Sequence, residues 1–239
     1  PLIAMVIAIY RFNETTRNYL QKSTTGGEIY LHRLRKSVVN VISKLLAPYD
    51  IVSLAGTDKF VVFKQLNPEQ PATKLRQELY NFAERIKVQI EKETGLKVII
   101  GFGNYHPGLE GLRQSFQEGL SAISLSRLRP RKTNIYHIND LAWEEMLAVI
   151  PSDVRRLFVI QILGGLKSKK AAGNELITTL EQYFASNFNL STAAQSLFLH
   201  RNTLRLRLQK IKSLTGLDPT SWPDAVVLYT AIICDRLNK

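Results

Sequence analysis

Cysteine is almost missing from this chain: Cys234 is the single one in 239 residues. No disulfide can form within the chain and no cysteine-based zinc site can be built, and a lone thiol fits a reducing cytoplasm. Its neighbours Ile232, Ile233 and Leu237 mark Cys234 as a core filler. Histidine is nearly as scarce. His32, His106 and His137 lie far apart with no second His or Cys at metal-ligand spacing, and His200 belongs to a separate motif, so neither a metal nor a cofactor is expected. Ser115 lacks a Gly-x-Ser-x-Gly elbow, and no convergent His and Asp support it as a nucleophile. No apolar run approaches the ~20 residues that span a bilayer. The opening Leu2 to Ile9 is too short for a span, lacks a basic lead and runs into Tyr10-Arg11-Phe12, which reads as a buried strand rather than a signal peptide; no membrane partner is expected. Beginning at Pro1 instead of Met, the chain reads as a processed product or an excised fragment, and a domain upstream is compatible with that start. Acid is also short. Against 32 Lys and Arg there are 20 Asp and Glu, a net charge of +12 that suits a polyanionic partner. The excess is spread over Arg33 to Lys36, Arg127 to Lys132, Lys167 to Lys170 and the C-terminal region, so charge alone does not choose between DNA, RNA and an anionic membrane surface.

What is present is an ordinary globular composition, 45% hydrophobic and 22% charged, in a length that holds one large or two small domains. The pattern predicts strands over Leu2 to Phe12, Ile51 to Ala55, Phe60 to Gln65, Lys97 to Gly103 and Asn134 to His137. Between them it predicts helices over Glu28 to Leu46, Pro68 to Thr94 and Leu109 to Leu128. This is an α+β sandwich with a mostly antiparallel sheet. After Asn139 the pattern turns helical: Leu141 to Val149, Val154 to Leu163, Glu175 to Phe188, a helical pair, and Trp222 to Leu237 with Pro223 in its first turn. Gly164, Gly165 and Lys167 to Gly173 read as a loop. The resulting division is 1–138, a connector 139–172, and 173–239. No repeat or low-complexity tract appears.

The richest segment is 189–219. Ser191 or Thr192 can cap a short helix whose Ala194, Leu197 and Phe198 form one apolar patch, and Leu199-His200 then turns the chain into a second helix. Ala194 is small enough to let the two axes cross closely. Leu204, Leu208 and Ile211 make a buried stripe that ends near Leu214. At about 100° per residue, Arg201, Arg205, Gln209 and Lys212 form a row beside that stripe, with Asn202 and Leu206 further round. This is the outline of a helix-turn-helix, and such a row suits a major groove: Arg forks onto guanine, Asn and Gln pair with adenine, and Leu206 offers an apolar surface to a thymine methyl. Arg201, Asn202 and Arg205, nearest the N-terminus, are expected at bases. Thr203, Arg207, Lys210 and Lys212 are expected at phosphates, and His200 stands beside Arg201 in the same set. Glu181 is the last acid before Asp218, so no acid between them repels a DNA backbone. The bland alternative is a solvated basic helix in a bundle.

The run from Leu199 to Asp218, with its His-Arg-Asn-Thr-Leu start and Leu-Thr-Gly-Leu-Asp end, closely resembles the C-terminal helix-turn-helix of the PucR/CdaR bacterial transcription regulators. Thr179 to Asn187 resembles the helix that precedes it there. Leu206 departs from the family, which commonly carries an aromatic residue at this position, whereas Arg201, Asn202, Thr203 and Arg205 match. Ile100 to Ala122 resembles the cyclase-like middle domain of the same regulators, a glycine-rich strand end followed by a Ser-aromatic-x-Glu helix, with Gly119 in place of the usual Ala. The likeness thus covers nearly all of the chain in the expected order.

That first domain also resembles diguanylate cyclases in outline, and its hairpin Gly56-Thr57-Asp58-Lys59-Phe60 stands where they carry Gly-Gly-Asp/Glu-Glu-Phe. Their chemistry needs two metal ions held by carboxylates. Here the hairpin Glu position is Lys59, and the acidic pair of the first strand falls on Ala8 and Tyr10, which leaves no Mg²⁺ cage and predicts no cyclase activity. The product-binding Arg-x-x-Asp keeps Asp50 but has Ala47 at the Arg position; Asp50 then reads as an exposed residue that begins a strand. Gly101, Gly103 and Gly108 lack Gly-x-Gly-x-x-Gly spacing and read as turn geometry after a buried strand.

The resemblance implies a degenerate GGDEF-like domain followed by an all-α helix-turn-helix domain, in a non-enzymatic, sequence-specific regulator of double-stranded DNA. One helix-turn-helix makes few base contacts, so a homodimer or larger assembly on half-sites about 34 Å or a multiple apart is expected. Leu157, Phe158, Ile160 and Ile162, or the α+β domain, are the candidate interfaces. The alternative is a module whose cyclase-like domain senses an unidentified nucleotide or metabolite effector. RNA binding is disfavoured because the outer face of the second helix carries no stacking aromatic.

Overall fold

The computed structural model describes residues 1–12, 24–67, 69–129 and 134–238, which form two compact units, Pro1–Ala142 and Trp143–Lys239. Pro68 and half of the Arg127 to Lys132 cluster, Pro130 to Lys132, lie outside the described residues.

In the first unit, strand β1 (Leu2–Ile9) is the centre of a sheet of five described strands in the order β2-β3-β1-β4-β5. Every residue from Ile3 to Ile9 is buried, as a continuous apolar run requires when both faces of a strand are covered. The strand stops at Ile9 rather than running on to Phe12, because Arg11 takes a left-handed φ of 49°. Strand β1 is antiparallel to β3 (Lys59–Gln65) and to β4 (Val98–Phe102); β2 (Ile51–Leu54) closes the hairpin on β3, and β5 (Ile135–His137) runs parallel to β4. Helices α1 (Thr24–Ser43) and α2 (Ala72–Thr94) pack together over one core. Val38, Val41, Ile42, Phe82, Ile86 and Ile90 meet Ile3, Met5, Ile7 and Ile9 there. Helix α2 begins after Pro71, whose ψ of 141° is extended, so it starts later than the apolar periodicity alone implies.

The alternate residues of β1, Ala4, Val6 and Ala8, are smaller, and α3 (Gly108–Ser126) covers that side of the strand. The approach is close enough to exclude side chains. A Cβ on Gly101 would stand 2.4 Å from the Gly119 carbonyl oxygen, and one on Gly119 would stand 2.9 Å from Val6 Cγ2. Gly101 is therefore a packing glycine inside β4 and not a turn residue, a correction to the sequence reading. Ser115, fully buried, accepts the Ala4 amide at 3.0 Å. Asp50 is also corrected. Far from exposed, its carboxylate is buried and accepts from the amides of Ala47 and Gln65 and from Lys64 Nζ, each at about 2.9 Å. Burial raises its pKa, but those donors outweigh it and hold the carboxyl below the ordinary aspartate value.

The second unit is built from α4 (Ala142–Ala148), α5 (Ser152–Lys167), α6 (Lys170–Ala185), α7 (Leu190–Ser196), α8 (Arg201–Thr215) and α9 (Trp222–Leu237), with Pro223 in the first turn of α9 as expected. The predicted Gly164 to Gly173 loop shrinks to Ser168 and Lys169, because both Gly164 and Gly165 continue α5. Gly165 has a packing reason: a Cβ there would meet the Leu214 carbonyl at 2.4 Å, so α5 crosses the end of α8 backbone to backbone. Val159, Leu163 and Leu166 are the buried side of α5, which packs on α6, α8 and α9. Arg155 donates to the carbonyls of Leu147, Ala148 and Ile150 and to Asn238, capping α4 and pinning α9 with one guanidinium.

Candidate nucleic-acid interface

Helix α7 is capped by Asn189, whose Oδ1 accepts the Thr192 amide at 3.0 Å; Ser191 and Thr192 lie inside its first turn instead of capping it. The inward residues are Ala193 and Ala194, both buried, which lets α7 and α8 cross closely. Phe198 does not join the apolar patch expected of it. It sits in the turn at φ 55° with 96% of its surface exposed, while Leu199 donates its amide back to Ala194. His200 then caps α8, its Nδ1 accepting the Asn202 amide at 3.3 Å.

Leu204, Leu208 and Ile211 bury one side of α8 as the spacing predicts, and Leu214 is half-buried. Arg201, Asn202, Thr203, Arg205, Leu206, Gln209 and Lys210 are exposed, Leu206 to 65%. Among the described residues Arg201, Arg205 and Lys210 take part in no ion pair. Arg205, Gln209 and Lys212 share a cleft of about 340 Å³ with Tyr183, Leu190 and Asp218.

Two of the expected phosphate contacts are engaged elsewhere. Arg207, half-buried, turns to α6, where it donates to the buried Thr179 hydroxyl at 3.3 Å and pairs with Glu175 at 3.0 Å. Lys212 pairs with Asp218 at 2.7 Å. The Lys212 ammonium and two donors from Thr220 hold the Asp218 carboxyl well below the usual range, and Asp218 in turn raises the lysine. Helix α8 itself carries no acid, yet two acids from outside it reach it in space. Glu175 lies 32 positions from Arg207, and no local pattern points to that pair. The aromatic corner before α7 was equally invisible: Phe188, at φ 63°, stacks edgewise on Tyr183 and Trp222.

In the first unit the register sets Ala8 directly opposite Lys59, so the two strands that carry metal ligands in cyclases present a methyl and an ammonium here. The Lys59 ammonium lies 2.9 Å from the neighbouring Asp58. Among the described residues no cluster of His, Cys, Asp or Glu is arranged to hold a metal ion, and no helix is long and apolar enough to cross a membrane. The Ser-aromatic-x-Glu helix has a structural use that sequence reading missed. Glu118 accepts the Asn104 amide at 2.6 Å and pairs with His106 at 2.8 Å, latching the turn after β4, while Ser115 holds β1.

Residues 1–125 match the GGDEF-like domain and residues 176–234 match the PucR C-terminal helix-turn-helix domain. The carbohydrate diacid regulator of Escherichia coli (strain K12) is 28% identical over 64% of this chain and 40% of its own length. The purine catabolism regulatory protein of Bacillus subtilis (strain 168) is 28% identical over 57% of this chain and 26% of its own. The proline-responsive transcriptional activator PutR of the same strain is 31% identical over 55% and 33%. The chain spans well under half the length of these relatives. With a GGDEF-like domain over more than half of its residues and the PucR helix-turn-helix behind it, this chain belongs to the PucR/CdaR family of transcription regulators.

Proposed function

We propose that the chain is a sequence-specific DNA-binding regulator acting in the cytoplasm, with α8 lying in the major groove. The observation that carries this reading is the outer face of α8. Arg201, Asn202, Arg205, Gln209 and Lys210 are all exposed on a helix whose other side is locked into the unit by Leu204, Leu208 and Ile211. Arg201, Asn202 and Arg205 read base edges, Gln209 and Leu206 extend the contact, and Thr203 and Lys210 hold phosphates beside His200. Arg207 and Lys212 contribute less, because Glu175 and Asp218 already neutralise them.

The first unit is proposed to be regulatory or architectural, without cyclase activity. Lys59 and Ala8 put a positive charge and no carboxylate where the two metal ions that neutralise a triphosphate need negative ligands. Specific binding needs two copies, since a single recognition helix reads too few bases.

Selection of bound duplexes from a random pool tests the reading. The expected result is an enriched motif with two-fold symmetry and half-sites about one helical turn or a multiple apart. On that motif Arg201→Ala and Arg205→Ala each lose about 1–3 kcal/mol of discrimination, with unchanged thermal stability. A pool without enrichment, or duplex DNA outcompeted by RNA at fixed salt, overturns it.

A further inference from the structure

Helix α5 is apolar on two separate sides. Val159, Leu163 and Leu166 are buried on one, while Leu157 and Ile160 are 68% and 60% exposed on the other. Phe158 and Ile162, candidates for an interface on sequence alone, are half-buried and flank the inner side. At about 100° per residue, Leu157, Ile160 and Gly164 fall on one line with i, i+3, i+7 spacing, by which one helix seats another. Gly164 ends the line as a notch: nothing lies within 4 Å of the place its Cβ would occupy. A glycine inside a helix costs about 1 kcal/mol relative to alanine. Among the described residues nothing packs against Gly164 to offset that cost, unlike its neighbour Gly165.

We propose that this face of α5 is where two copies of the chain meet, with their α5 helices antiparallel about a two-fold axis beside Ile160. It rests on the two-copy reading above and assigns the surface that reading leaves open. The face complements itself only in that direction. Antiparallel pairing sets Leu157 of each copy into the Gly164 notch of the other and brings the two Ile160 side chains together at the axis. Charge agrees with shape. Asp153, exposed in the first turn, comes beside the basic end of the second copy's helix, where Lys169 is exposed and Lys167 is held by Asp235. The stripe is short of the roughly 1,200–2,000 Å² that stable interfaces bury. Association is therefore concentration-dependent in free solution and strengthened when adjacent half-sites hold both copies.

The test uses the full chain and reads association apart from DNA binding. Sedimentation equilibrium over a range of concentrations should give a monomer–dimer equilibrium. Ile160→Glu sets two carboxylates against each other at the axis, and Gly164→Leu fills the notch; each should weaken association roughly tenfold or more. Gly164→Leu is the sharper variant, since it improves helix propensity and has open space around it, so lost association cannot be put down to unfolding. Mild oxidation of Ile160→Cys should give a disulfide-linked dimer, Cys234 being buried, whereas Val88→Cys on the exposed side of α2 should not. A wild-type dimer indifferent to both variants, with no cross-link through Ile160→Cys, overturns the assignment and leaves the two-copy reading standing. A monomer at every concentration, on duplex DNA as well, removes both. A monomer in which the Ile160→Cys thiol is shielded from thiol reagents gives the face to another part of the same chain and likewise overturns the proposal.

Discussion

Phe198 combines two unfavourable features that nothing in its own unit offsets: a left-handed backbone and a ring 96% exposed. A side chain with a Cβ costs on the order of 1 kcal/mol in that conformation, and glycine avoids the clash. Phe198→Gly is expected to stabilise the protein by about 0.5–1 kcal/mol, read as a higher midpoint in urea; a loss of stability would mean that the ring is packed. The basic residues of α8 separate just as sharply. Lys210 is exposed without an ion pair, so Lys210→Ala should reduce the slope of log K against log salt by about one. Lys212→Ala should leave that slope nearly unchanged because Asp218 already engages the ammonium, and Arg207→Ala should lower stability more than affinity by removing the tie from α8 to the Thr179 hydroxyl and to Glu175. Anisotropy titrations over a salt series, with melts of the same proteins, test all three. Periodicity alone identified the exposed row and the buried stripe of α8. It was blind to Glu175 and Asp218, which reach the helix only through the packing of α6 and the fold-back after Gly216.

At the scale of elements, the contact between β4 and α3 is the most demanding in the first unit. Gly101→Ala would press a methyl to 2.4 Å from a backbone carbonyl that no rotamer change can move. A destabilisation of about 1–3 kcal/mol or more is expected, measurable by chemical denaturation, because overpacking a tight core forces backbone shifts. The hairpin has its own anchor in Asp50. Its folded-state pKa is lowered, so its ionised form stabilises the fold fully above the unfolded aspartate value near 4 and that contribution fades as pH falls through the lower folded value. Asp50→Asn should therefore melt below wild type at pH 7, with the gap narrowing on acidification below pH ~4; a gap independent of pH would make the effect one of shape and not charge. The order and type of these elements were legible, since β1, β4 and the helices carry unambiguous periodicity. The errors came where tertiary contacts decide. Asp50 looks like a strand-starting surface acid until Lys64 and the Gln65 amide close on it, and Gly101 looks like a turn glycine until α3 lies across it.

The whole molecule divides where composition does not. Gly164, Gly165 and three lysines between 167 and 170 read as a linker, which sets a boundary at residue 173, just ahead of the matched helix-turn-helix domain. In the fold that stretch continues α5 and turns directly into α6, and α5 supplies Val159, Leu163 and Leu166 to the core beneath α8 and α9. Burying side chains of this size contributes roughly 1.5–3 kcal/mol each, so removing three of them takes away as much as the whole stability of a small domain. Residues 143–239 expressed alone should therefore unfold in one cooperative transition and retain the half-site preference of the longer chain. Residues 173–239, although they hold the entire matched domain, should lack a cooperative melt and lose specific binding, because the surface under Leu214 and Ile232 is left in water. If the shorter fragment melted cooperatively and read the same half-site, α5 would be an accessory to the DNA-binding unit instead of part of its core. The proposed pairing through Leu157, Ile160 and Gly164 would then have to reach the recognition helices through a joint that this packing does not contain.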